Sequence, residues 1–240
     1  MFANLNRYFS ELSSAYRTKI GRGPLFREAE AAELEAAQVA QVLPSAKAAI
    51  AVARDALVEA AVNAAAIAAP VAALADHGAR VAPLQAAGFR TVADLRGQGL
   101  RSLQAREGIG EVTAAAAVAA TQSFLDEARS SARVMPDPDE RRPGDTALLV
   151  AVARYEVLLR EFPARADALE RRRQALRRDI ALFRDGTVPA RHFFSGTMRS
   201  AHAAHEAALR AEAAWVLAEA RVLNRFAREL AVDEAAVWRR

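Results

Sequence analysis

The chain has 240 residues, a formal net charge of +4, a pI near 10.1 and no cysteine. That length allows one or two domains with a sizeable core. The missing cysteines exclude disulfides, thiolate metal sites and cysteine nucleophiles, and the charge permits an acidic partner without demanding one.

Alanine makes up about a quarter of the residues, and glycine and proline gather in a few clusters. Such a composition implies an all-α chain. A helix is expected near 3–19, followed by a Gly-Arg-Gly-Pro break. No basic start and apolar core marks a secretory signal, so a cytoplasmic location is expected. A long helical region spans about 25 to 76, interrupted or kinked at Pro44 and at Pro70. Its most apolar run, Ala60 to Ala75, is mostly alanine and contains Asn63 and Pro70, so it does not suit a membrane span. A small domain occupies 79–128 and a proline-rich linker 129–145. Helices are expected near 146–184 and 196–230. The implied domains are 1–78, an N-terminal helical arm; 79–128; the linker; and 146–240, a C-terminal helical arm.

Regular 4,3 spacing runs through both arms. One seam joins Val39, Leu43, Ala46, Ile50, Ala53, Leu57, Ala60, Ala64, Ile67, Val71 and Leu74. The other runs from Leu148 through Tyr155, Phe162, Leu169 and Leu176 to Phe183, with Arg173 alone breaking it. A 3.5-residue repeat keeps one stripe against a partner helix. Each seam covers 36 residues, about 54 Å of helix. The spacing predicts an antiparallel coiled-coil stalk, 39–74 against 148–183, or a compact bundle. A third seam, Leu209, Ala213, Val216, Ala220, Leu223, Ala227 and Leu230, would pack as a third helix or pair with another chain.

The most informative stretch is Leu103 to Ala117, LQAREGIGEVTAAAA, with a looser version at Leu84 to Leu95, LQAAGFRTVADL. Each reads as helix, tight turn, helix. Glycines let the chain turn sharply and bring bare backbone near a partner. The helix starting near Glu111 offers unpaired N–H groups and a positive dipole end to a phosphate. Tandem units of this kind resemble a helix-hairpin-helix domain, a fold that grips nucleic-acid backbone without reading sequence. The resemblance covers about 50 residues and rests on Leu103, Gly108, Ile109, Gly110 and Ala114. It implies a nucleic-acid-binding set of Gly88, Arg90, Arg106, Gly108, Ile109, Gly110 and Thr113. Glu111 and Val112 stand where DNA-binding members often carry a basic residue, and Arg106 stands where an apolar one is common. The arms around GFRTVADL and GIG, followed by PDPDERRPGDTALLVAV, are similar to the accessory helical insert of bacterial superfamily 1 helicase-like ATPases. No motor accompanies it: Lys19 precedes Ile20 and Lys47 precedes Ala48, so neither completes a GxxxxGK[ST] loop.

Other candidates are weaker. The arginines from Arg165 to Arg184 are interleaved with Asp167, Glu170 and Asp179, which suits a solvated face. His202 and His205 sit one turn apart and lack an evident third metal ligand. No catalytic residue, metal or cofactor is expected. The expected function is a non-catalytic module contacting sequence-nonspecific DNA, accessory to a helicase or nuclease machine. The alternative is a coiled-coil adaptor or oligomerisation module, its hairpin domain binding protein or its seams self-associating.

Overall fold

The computed structural model describes residues 24–193 and 196–239, and these are all-α. The helix expected near 3–19, the break after it and Lys19 lie outside the described residues, as do the side chains of His192 and His202. The helices are α1 Pro24–Ala68, α2 Val81–Ala86, α3 Leu100–Gln104, α4 Glu111–Ser131, α5 Pro143–Glu161, α6 Pro163–Phe193, α7 Gly196–Glu229 and α8 Glu234–Val237. Two 3₁₀ turns, Val71–Ala75 and Val92–Leu95, complete the order. No described helix is long and apolar enough to cross a membrane.

Prolines act here through position. Pro44 lies inside α1 without ending it, and is exposed there. The helix stops at Ala68, just before Pro70. Pro143 and Pro163 occupy the first turn of α5 and α6, where a missing N–H costs no helical bond. Pro163 therefore starts a new helix one residue after α5 ends, with Phe162 buried at the joint. Helical backbone continues to Phe193, past the end expected near 184.

Contacts divide the chain into two compact units, and these do not follow the boundaries at 78, 128 and 145. One unit comprises described residues 24–48 and 152–233; the other comprises 49–151 and 234–239. The first is a three-helix core of α1, α6 and α7, centred on Leu25, Ala32, Val39, Phe162, Leu169 and Leu223. The third seam packs as a third helix: Leu209, Ala213, Val216, Ala220, Leu223 and Ala227 are all buried. Ion pairs set the directions. Arg165 to Glu219 (2.7 Å) and Arg172 to Glu212 (3.0 Å) make α6 and α7 antiparallel. Glu33 meets Arg173 at 3.6 Å and also bonds Arg177, joining α1 to α6. Glu28 to Arg210 (2.8 Å) and Glu35 to Asn224 (3.0 Å) run α1 parallel to α7.

This corrects the register of the expected stalk. Leu169 shares a core with Val39, while Leu57 belongs to the other unit. The working seam of α1 begins at Leu25 and continues through Ala29, Ala32 and Ala36, upstream of the residues the spacing selects. Beyond Leu57 the buried positions within α1 are Val62 and Ala66, with Val58 packed against them, while Ile67 is exposed; the seam's last two members, Val71 and Leu74, are buried in the 3₁₀ turn that follows. Here α1 packs on short helices and turns instead of a partner heptad, so nothing enforces a 3.5-residue stripe. In the second seam Leu158 is buried and Leu159 exposed, because the break at Phe162 resets the phase.

The second unit packs Val62, Leu74, Leu84, Val92, Leu103, Ala114 and Leu125 into one core. Glu59 on α1 ties it together from outside. One carboxylate oxygen accepts from Arg96 at 3.0 Å and the other from Arg129 at 2.7 Å. These contacts, chiefly the Arg129 hydrogen bond, hold the Glu59 carboxyl below its ordinary range. At the other edge Trp238 donates to Thr146 at 3.2 Å, and the end of the Leu57 side chain packs against Gly144, so a Cβ there would push it aside.

Candidate nucleic-acid interface

The hairpin unit is built from a repeated turn. Leu84 starts one: Phe89 N–H reaches back to the Leu84 carbonyl at 3.1 Å and Gly88 N–H to Gln85 at 3.0 Å. This is a Schellman closure, which requires a left-handed residue, and Gly88 has φ +92°. Sequence reasoning finds this turn and the one at Gly108, and misses another upstream. Ala79 bonds Leu74 and Gly78 bonds Ala75, both at 3.0 Å, with Gly78 at φ +88°. The signal is in the sequence: LADHGA and LQAAGF share leucine, three residues, glycine and an apolar residue. The Gly108 turn is one residue longer, with φ +81° at the glycine and Ile109 N–H bonded to Arg106 at 3.2 Å. In all three the residue after the glycine is buried: Ala79, Phe89 and Ile109. Each glycine is thereby left exposed while the next side chain is pinned in the core.

In the first hairpin the N–H groups of Arg90, Thr91 and Val92 all have protein acceptors. Asp94 Oδ2 accepts from the N–H groups of Arg90 and Thr91 at 2.8 and 2.9 Å, completing a capping box. These backbone bonds, that of Thr91 foremost, hold the Asp94 carboxyl below its ordinary range. The Arg90 carbonyl accepts from Val71, and Val92 N–H donates to Ala69, forming an isolated bridge to the end of α1. Gly88 and the Arg90 side chain are exposed on this turn.

The second hairpin stands open. Counted from the two glycines, Gly110 and Glu111 correspond to Arg90 and Thr91, and Ala114 stands where Asp94 would be. Gly110 caps α4 with no side-chain hydrogen bond. Among the described residues, no acceptor meets the N–H groups of Gly110, Glu111, Val112 or Thr113. Gly110 has φ −79°, and a Cβ there would meet nothing within 4 Å. Its bareness is therefore not a conformational need. Gly108 is the glycine the fold requires.

The predicted set falls into two groups. Gly108, Ile109, Gly110 and Thr113 meet at one helix start, with Ile109 buried and Thr113 half-buried. Arg106 is exposed and lies over the Phe89 ring at 5.9 Å, joining the second turn to the first. Gly88 and Arg90 belong to the closed turn. Glu107 and Glu111 are exposed at the open one, as is Val112. The arginine run on α6 is largely committed to ion pairs between helices, at Arg165, Arg172, Arg173 and Arg177. His205 lies against Phe183. No group of three histidine or acidic side chains among the described residues could hold a metal. Compared with protein-family models, with curated proteins and with solved structures, the chain gives no match.

Proposed function

We propose that the second hairpin binds the phosphate backbone of nucleic acid without reading sequence. On this reading the chain is a non-catalytic module of the helix-hairpin-helix kind, serving a helicase- or nuclease-type machine. The observation that carries the reading is the contrast inside one unit. The turn at Gly88 holds a carboxylate oxygen on two consecutive N–H groups, while the related pair at Gly110 and Glu111 has no acceptor. An anion on that pair would also meet the positive end of a 21-residue helix dipole. Exposed Arg101 and Arg106 supply neighbouring positive charge.

Fluorescence anisotropy with mixed-sequence DNA tests this. Affinity should fall steeply as salt rises, because phosphate contacts release counterions. Glu111→Lys replaces a repelling charge at the helix start with an attracting one and should raise affinity about threefold or more at low salt. No binding at low salt, or an affinity unmoved by Glu111→Lys in a folded protein, would remove the proposal.

A further inference from the structure

The alanine-rich run that ends α1 finds a use in a groove on the hairpin unit, away from the open helix start. Its floor is laid by Ala61 and Ala65 of α1, by Phe124 and Ala128 of α4, and by Ala132 just past the end of that helix. These positions recur at four-residue intervals, so each helix presents a row of small or flat side chains. Two such rows side by side leave a furrow, here of about 420 Å³. A furrow of this kind is filled by the i, i+4 ridge of another helix. From Phe124 to Ala132 it runs about 12 Å, room for two successive leucine-sized side chains.

Charge selects the occupant. The ionisable side chains on the groove are Asp76, Glu127 and His77, with no lysine or arginine among them. His77 is held in place: its Nδ1 is 3.0 Å from the Ser123 hydroxyl, and its ring stands edge-on to Phe124. Glu127 is 3.6 Å from His77 Nε2 and mostly exposed, and Asp76 has no ion pair among the described residues. A chain of net charge +4 thus keeps an acidic rim around an apolar floor. That rim repels phosphate and attracts cations.

We propose that this groove docks an amphipathic helix of a partner protein, with two leucine-type side chains four residues apart flanked by lysine or arginine. The proposal does not depend on the phosphate reading.

The test uses the full chain and two synthetic 15-residue helical peptides, identical in their leucine ridge, one flanked by lysines and the other by glutamates. The lysine peptide should bind, with NMR shifts confined to the surroundings of His77, Phe124 and Ala128, and the glutamate twin at least tenfold more weakly. The double variant Asp76→Asn/Glu127→Gln should lose about threefold or more of the affinity for the lysine peptide at low salt. Ala128→Arg, which fills the furrow and inverts its charge at a half-buried position, should abolish binding while helicity is retained. DNA binding should be unchanged in both variants, which separates this site from the hairpin. Equal binding of the two peptides, binding of neither, or a lysine-peptide affinity untouched by Ala128→Arg would overturn the proposal.

Discussion

In the first hairpin the N–H groups of Arg90 and Thr91 point at Asp94, whereas in the second those of Gly110 and Glu111 point at no protein acceptor among the described residues. Both turns carry a left-handed glycine, and both bury the next side chain in one core. The anchoring is shared and the backbone accounting differs. A buried helix start without a partner would be costly, but this one faces solvent, where water satisfies it until a ligand arrives. A single carboxylate thus separates a turn whose N–H pair is held by the protein from one whose N–H pair is not.

The largest expected effects test the shared anchoring. Phe89→Ala and Ile109→Ala each empty a buried site and should each destabilise the protein by about 2–5 kcal/mol in denaturant titration. A loss below about 1 kcal/mol at either position would mean that the two turns are not anchored alike.

Next come the glycines. Gly88→Ala and Gly108→Ala place a Cβ at φ +92° and +81° and should each cost about 1–2 kcal/mol. Since neither Cβ would meet an atom within 4 Å, the penalty is one of backbone conformation. Equal penalties would support two turns with the same conformational demand; a negligible penalty at Gly108 would break that part of the comparison.

How much of this was legible in the sequence depends on which force decides each feature. Turn chemistry is local, so Gly88 and Gly108 stand out, and so does the Gly-Ile-Gly start of α4. Gly78 uses the same chemistry but sits where the long helical pattern ends, and there it looks like a boundary. The third seam is legible because leucine and valine alternate with alanine at fixed phase from Leu209 to Ala227. The first seam fails between Leu57 and Val71, where Ala60, Ala64 and Ile67 are exposed. In a run of alanines several phases are equally apolar, and packing of Val62 and Ala66 against the hairpin core decides among them. The capping partner Asp94 is written as Thr-x-x-Asp, yet its consequence emerges only when the two turns are compared atom by atom. The acidic groove needs α1 and α4 side by side, and no local pattern announces that.

Asp94 offers a subtler test through pH. Its folded-state carboxyl is depressed by the Thr91 and Arg90 N–H groups. The stabilisation it gives is therefore complete above the unfolded carboxylate range, about pH 3.9, and is lost as pH falls through the lower folded value. In Asp94→Ala this share of the acid-side loss should vanish from thermal melts, and the melting point near neutrality should drop. The same variant bares the N–H pair of the first turn and so makes it resemble the second. If bare N–H pairs are what bind phosphate, DNA affinity should rise as stability falls. A fall in both would assign the binding to something other than open backbone.

The smallest stability effect belongs to Gly110, and it carries the sharpest functional contrast. Its φ of −79° is ordinary for any residue, and its Cβ position is empty space. Gly110→Ala should therefore change the free energy of unfolding by no more than about 0.5 kcal/mol. Gly110→Val sets a branched side chain beside the N–H pair and narrows the approach to it, again with no left-handed strain. If the helix start receives phosphate, anisotropy titrations should show DNA affinity falling from glycine to alanine to valine while the folded core stays unchanged. Stability and affinity falling together would instead make Gly110 a joint of the fold. Unchanged affinity in both variants would mean that the open turn is not where nucleic acid is held, and the contrast between the two hairpins would then describe folding alone.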